Sequence, residues 1–186
     1  MKTILRTAAF GFALATLCLA SSATASETAS EVDGAIQRKA EQLSSLGTDP
    51  VVVAAVTAHN AHPSAEAAAM TNDAWKGLTV LDKFVRSLSK SELVDHLEKD
   101  ADPAISELFI SGADGTKVAF FAKTSSWSHK GNDKHELPMK GEIWIGSVEV
   151  DESTGVEQVQ IGLPVIDGET VIGSLVIGVA LDKIGS

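Results

Sequence analysis

The chain has 186 residues, 44% of them hydrophobic and 22% charged, with a formal net charge of −10 and a single cysteine. That composition excludes a disordered or collagen-like chain, and the length suits one domain that buries a core without disulfides or a structural metal. The acidic balance repels phosphate backbones and anionic lipid surfaces, so no nucleic acid partner is expected.

The N-terminus reads as a secretory leader. Lys2 and Arg6 give a positive start, Ala8 to Ala20 is an apolar stretch of 13 residues, and Ala23-Thr24-Ala25 offers small residues for cleavage. The stretch is shorter than the roughly 20 residues needed to span a bilayer. Cleavage near Ala25 would start a mature chain at Ser26, periplasmic or secreted. Cys18 lies inside the leader, behind Leu17 rather than a small residue, which argues against lipidation. The mature chain then has no thiol, which excludes disulfides, thiolate nucleophiles and cysteine metal sites. Loss of Lys2 and Arg6 leaves 13 basic against 25 acidic residues, a net of −12.

From Glu27 to about Gly47 the apolar residues Val32, Ile36, Ala40, Leu43 and Leu46 recur with helical spacing. Asp49 as N-cap and Pro50 at the first position start a second helix, which stops near His59 to Pro63. An alanine-rich third helix is predicted from Ser64 to Trp75, with Trp75 closing the helical layer against a sheet. Gly77 to Lys90 reads as a short helix or ordered loop. Ser91 opens a last helix through Lys99, closed by Asp102-Pro103; its Asp95 and Glu98 form a solvated face.

After Pro103 the hydrophobic period switches to two. Strands are predicted over Ile105 to Ser111 and Lys117 to Ala122, joined by a Gly112-Ala113-Asp114-Gly115 turn. Glu142 to Val150 and Gln158 to Val165 follow, joined by the Asp151 to Gly155 turn, and Asp167-Gly168 leads into the last strand, Thr170 to Leu181. That last strand is apolar on both faces and therefore belongs in the middle of a sheet. The fold class is α+β with an antiparallel sheet; pairing the last strand with the first gives the order 2-1-5-4-3. Residues 26–186 form one domain, 26–103 mostly helical and 104–186 mostly sheet.

The connection from Lys123 to Gly141 must then cross one face of the sheet. Its 19 residues exceed the roughly 12 to 15 of ordinary loops. It carries Trp127, His129, His135 and the lysines Lys123, Lys130, Lys134 and Lys140. An aromatic plane with converging donors and cations suits a small polar or anionic ligand. Trp127 capping the core beneath solvated polar side chains explains the same residues equally well.

The Glu107-Leu108-Phe109-Ile110 strand, the Thr124-Ser125 loop, the Trp144-Ile145-Gly146 strand start, the Asp151-Glu152-Ser153-Thr154-Gly155 turn and the closing Val171-Ile172-Gly173-Ser174-Leu175, behind a long N-terminal helix, resemble a Cache domain. Cache domains, including the PDC group, are PAS-like extracytoplasmic sensors of bacterial chemoreceptors and histidine kinases. The resemblance covers almost the whole mature chain. It implies a PAS-like sheet with the long helix behind it and a small molecule held on the open face under the second-to-third strand connection. By position the ligand-binding residues would be Trp127, Ser126, His129, Lys123, Trp144, Gln160 and Ser174. Many relatives have Asp-Tyr-Trp where this chain has Ser126-Trp127-Ser128, so the acidic anchor for an amine is missing and a carboxylate or neutral solute is favoured. No output module follows the last strand before Ser186. A stand-alone sensor domain would hand ligand or conformation to a membrane receptor or kinase, and a homodimer would form through the N-terminal helix.

Other chemistries have less support. His129, His135 and Glu136 could contribute to a metal site, as could His59 and His62, but the spacing matches no established zinc motif. No Gly-x-Ser-x-Gly elbow is present, and Gly112 and Gly115 belong to a turn rather than a phosphate loop. The chain reads as a non-enzyme without a cofactor. The alternatives are a non-catalytic interaction or dimerisation protein of the cell envelope, or a metal-binding periplasmic protein.

Overall fold

The computed structural model describes residues 20–150 and 155–184, with side chains from residue 30 onward. Most of the leader, with Cys18, and residues 151–154 of the expected Asp151 to Gly155 turn lie outside the described residues. Helix α1, Ala20–Leu43, begins before Glu27 and runs through Ala23-Thr24-Ala25, a stretch whose alanines favour helix. Residues up to Gly34 form one compact unit and residues from Ala35 onward a second.

In the second unit, α1 continues through Ile36, Ala40 and Leu43, all buried, into a 3-10 turn over Ser44–Thr48. Asp49 then caps α2, Pro50–Ala61, accepting from the Val51 and Val52 amides at 2.8 and 3.2 Å. The expected third helix is instead two: α3, Ala65–Ala69, and α4, Asn72–Gly77. The break lies where Met70 and Thr71 go extended, because the Thr71 hydroxyl accepts from the Ala74 amide and so starts a new helix. The mixed segment contains α5, Lys83–Ser89, and Ser91 caps α6, Glu92–Lys99.

The sheet follows as β1 Ile105–Gly112, β2 Lys117–Phe120, β3 Trp144–Val150, β4 Glu157–Asp167 and β5 Thr170–Ala180. Its order is β2-β1-β5-β4-β3, antiparallel throughout, with β5 in the middle as its two-sided apolar pattern requires. This is the PAS-like α+β arrangement. Gly115 and Gly168 sit at φ +81° and +60°, where side chains are strained, so each turn needs its glycine.

Each face of the sheet has its own core. On one, Leu108, Ile110, Ile161, Leu163, Leu175 and Ile177 pack against Ile36, Ala40 and Leu43 of α1, Val52 and Val56 of α2, and Leu93, Val94 and Leu97 of α6. Each such side chain contributes roughly 1.5 to 3 kcal/mol by leaving water. Lys39, only 4% exposed, donates at 2.9 Å to Asp102, whose other oxygen accepts from the Ala104 amide. That pair ties α1 to the start of β1. On the other face Phe109, Phe120 and Val176 pack against Trp75, Phe84, Val85 and Trp127. Trp75 therefore closes a helical layer against the sheet, on the face opposite α1 and α2. Among the described residues no helix is long and apolar enough to cross a membrane.

Candidate ligand-binding site

The connection between β2 and β3 lies on the Phe109 face and is itself partly regular, with α7 over Asp133–Glu136 and a 3-10 turn over Pro138–Lys140. It is fastened at several points. Asn72 accepts from the Trp127 and Ser128 amides at 2.8 and 3.0 Å, and the His129 amide donates to the Gly115 carbonyl at 3.0 Å. α7 presses onto β4 at Gly162, where a Cβ would stand 2.9 Å from the Lys134 carbonyl oxygen and 3.0 Å from Pro138. Only glycine permits that approach.

Three cross-strand rows of the sheet lie beneath this cover. Ser111 of β1 pairs with Ser174 of β5, Phe109 pairs with Val176, and Glu107 pairs with Gly178, which in turn pairs with Gln160 of β4. The bare Gly178 lets Gln160 reach across and donate to Glu107 at 2.8 Å. β2 adds Lys117 beside Ser111 and Phe120 beside Phe109.

Phe109 is the hub. The His129 ring stacks on it with centroids 4.7 Å apart, and the Lys117 ammonium lies 3.7 Å from its centroid. Lys134 reaches within 5.8 Å of the same ring and donates to Gln160 at 3.0 Å. Lys117 Nζ bonds His129 Nδ1, and His135 Nδ1 shares a 2.7 Å hydrogen bond with the Ser174 hydroxyl. Burial favours the neutral His135 ring, and with the Ala113 backbone engaging the ring's other nitrogen, Nδ1 is left to accept from the Ser174 hydroxyl. Ser111 Oγ is fully buried and has no hydrogen-bond partner among the described residues.

The electrostatics follow from this burial. Lys117 is 0% exposed, and desolvation, reinforced by Lys134 and opposed by Glu107, pushes its ammonium well below the ordinary lysine value. His129 falls to about 3 through burial first and then the charges of Lys117, Lys134 and His135. His135 is also lowered, chiefly by burial. Among the described residues no carboxylate stands within ion-pair distance of Lys117. Two lysines and a histidine thus surround one aromatic ring, with His135 on Ser174 and the unpartnered Ser111 hydroxyl in the next row, an arrangement that repels cations and attracts an anion.

Of the residues expected from the sequence, His129, Gln160 and Ser174 gather here. Trp127 is 1% exposed and sits in the aromatic core, 5.3 Å from Trp75 and 5.4 Å from Phe84 between ring centroids. Ser126 contributes a carbonyl to the Thr124 hydroxyl. Lys123 lies over the Trp75 ring at 4.6 Å instead of reaching Phe109. Trp144 is half-buried and, with Gln160, Gln158, Gly146, Ser147 and Glu149, lines a small pocket of about 50 Å³ next to the cluster. His129, His135 and Glu136 do not converge, since the Glu136 carboxylate accepts from the Gly131 amide at 2.7 Å. His59 bonds Thr116 at 2.9 Å, and among the described residues no three His, Cys, Asp or Glu side chains come together to hold a metal. Sequence reasoning missed Lys117, Ser111 and Phe109. The signal in the sequence is a lysine opening a predicted strand whose other residues, Val118 to Ala122, are all apolar.

No protein-family model and no curated protein matches this chain. Among solved structures it is similar to the sensor domain of the histidine kinase DctB from V. cholerae, with 15% identity and a TM-score of 0.49 over 88% of this chain and 58% of that one. It is also similar to the ligand-binding domain of the Campylobacter jejuni chemoreceptor Tlp3 in complex with 4-methylisoleucine, with 9% identity and a TM-score of 0.40 over 81% and 62%. A further similarity is to the ligand-binding domain of the Pseudomonas aeruginosa PAO1 amino acid chemoreceptor PctC in complex with GABA, with 13% identity and a TM-score of 0.38 over 80% and 59%. The chain spans less than two thirds of the length of each of these. These neighbours are described as a sensor domain of a histidine kinase and ligand-binding domains of chemoreceptors.

Proposed function

We propose that this chain is an extracytoplasmic, sensor-type domain that binds a small carboxylate on the Phe109 face of its sheet. One observation carries the reading: Lys117, fully buried, has no carboxylate beside it. A buried amine is ordinarily paired, because desolvating its charge is costly. An anionic ligand supplies the missing partner, with Ser111, Lys134 and His129 as further donors and Gln160 and Ser174 at the margins. The reading is one of binding, not catalysis.

The pocket beside Trp144 and Gln160 is the way in, and at about 50 Å³ it has room for little more than water. Lys134, half-buried and tethered to Gln160, is the side chain that turns aside. The leader peptide supports a periplasmic or secreted location, and passing the signal to a membrane receptor or kinase completes the role.

Thermal shift of the purified protein against acetate, pyruvate, succinate, uncharged sugars and simple amines tests this. A carboxylate present at a hundred times its Kd stabilises by about 2.7 kcal/mol, or roughly 5 to 11 °C for a domain of this size. Lys117→Met removes the shift. A panel in which only sugars or amines stabilise, or a carboxylate shift that survives Lys117→Met, would overturn the assignment.

A further inference from the structure

We infer that a carboxylate enters the Phe109 site together with a proton, which Lys117 receives, so that binding is a joint uptake of anion and H⁺. The inference rests on the reading of that cluster as the ligand site. The Lys117 nitrogen lies over the Phe109 ring and against Nδ1 at the edge of the His129 ring that stacks on it, and the side chain is fully buried. The titratable and charged groups that face it or its neighbours are His129, Lys134 and His135 from the connection, Glu107 from β1, Asp114 from the hairpin turn, and Glu136 behind His135. Each acid is already engaged. Glu107 accepts from Gln160, Asp114 accepts from both the amide and the hydroxyl of Thr116, and Glu136 accepts from Gly131.

In the unliganded cluster burial, reinforced by Lys134, outweighs the opposing pull of Glu107, and no carboxylate stands within ion-pair distance of Lys117, which favours the neutral amine there. The lowered proton affinity of both Lys117 and His129 agrees with that. A carboxylate arriving beside Ser111 reverses the balance, because a nearby opposite charge favours the ammonium. The step is balanced. One proton from solvent and one carboxylate meet a neutral amine, one N–H bond forms, and an ammonium–carboxylate pair results. His129 Nδ1 stays neutral and accepts from the ammonium, while Ser111 Oγ gains an acceptor for its proton.

Calorimetry decides it. Acetate, pyruvate and succinate are titrated into the protein at matched pH in HEPES and in Tris, whose different ionisation heats report the protons exchanged, from pH 6 to pH 9.5. The expected result, for each acid that binds, is an uptake approaching one proton per ligand in part of that range, with Kd weakening up to tenfold per pH unit as pH rises there. The ¹⁵N signal of the Lys117 side chain moves to its ammonium position on binding. His129→Gln binds more weakly, and the binding that remains still takes up the proton. Binding without buffer-dependent heat at any pH, or a Lys117 nitrogen already charged in the free protein, overturns the inference and leaves the site standing. Loss of uptake in His129→Gln with binding intact assigns the proton to His129 and overturns it also. Failure of all three acids to bind overturns both the inference and the site.

Discussion

Replacing Lys117 with Met separates a residue kept for binding from one kept for stability. Met matches the side chain as far as Cε and removes the amine. The variant loses the contact of the amine over the Phe109 ring and its hydrogen bond to His129, together about 2 kcal/mol at most. It is relieved of holding an amine away from water without a carboxylate, about 2 to 3 kcal/mol, and gains about 1 kcal/mol from the added apolar burial. The sum favours the variant by about 1 to 2 kcal/mol, or roughly 2 to 8 °C in Tm. The pH dependence is a second readout. Because the folded-state pKa of Lys117 lies below its unfolded value of 10.5, the unfolded chain binds more protons between the two. Wild-type stability therefore rises with pH across that window, by up to about 1.4 kcal/mol per unit, and the penalty is fully present below it. Urea denaturation followed by circular dichroism from pH 6 to 10, taken as the difference between wild type and variant, isolates this slope from other titrations. A variant less stable by 3 kcal/mol or more, with the slope unchanged, refutes the reasoning: that is the signature of a broken buried ion pair.

Other perturbations test the surroundings of the site. Trp127→Ala empties a filled aromatic core and is expected to cost about 3 to 5 kcal/mol by thermal melt, with Trp127→Phe recovering most of it; full stability in the Ala variant would show that Trp127 is not core. His129 has a folded-state pKa of about 3 against 6.5, so its contribution is lost as pH falls through that interval, at up to about 1.4 kcal/mol per unit. His129→Gln should flatten the acid limb of the stability curve by that amount, and an unchanged limb counts against a neutral buried ring. Gly162→Ala drives a methyl against the Lys134 carbonyl and Pro138, with an expected cost of about 1 to 3 kcal/mol and faster proteolytic nicking between residues 123 and 141; equal protease resistance would mean that the cover is not seated there.

The sheet was legible because its signals are local and repeated. Leu175, Ile177 and Val179 alternate with residues that are themselves apolar, and a strand covered on both faces has one place to go. The Asp49-Pro50 start and the Ser91 cap were legible because capping is chemistry between near neighbours. Thr71 escaped because the alanine run before it and the Ala74-Trp75 pair after it look like one helix until the Thr71 hydroxyl is seen to accept from the Ala74 amide. The site was half legible. His129, Gln160 and Ser174 follow from the long connection and the polar face of the strands, whereas Lys123 and Trp127 have the right composition and turn to a neighbouring aromatic layer.

Lys117 was hidden for a more specific reason, a slip in strand register. In a regular strand Lys117, Ala119 and Phe121 share one face, and Ala119 and Phe121 belong to the core beneath α1 and α2. Alternation alone would drive an ammonium into that core, where nothing could satisfy it. The ladder instead pairs Ile110 with Ala119 and Ser111 with Lys117, so Val118 is an extra residue and the pairing slips between them. Val118 and Ala119 both contact the core beneath α1 and α2, and Lys117 is turned to the opposite face beside Ser111 and over Phe109. A bulge of this kind re-aims a side chain at the cost of ladder regularity. Here it carries one amine out of an apolar core to a place where His129 is its hydrogen-bond partner and no carboxylate stands within ion-pair distance. The buried lysine without an ion pair and the broken register are thus one feature, and both are accounted for if the Phe109 face is where the proposed ligand sits.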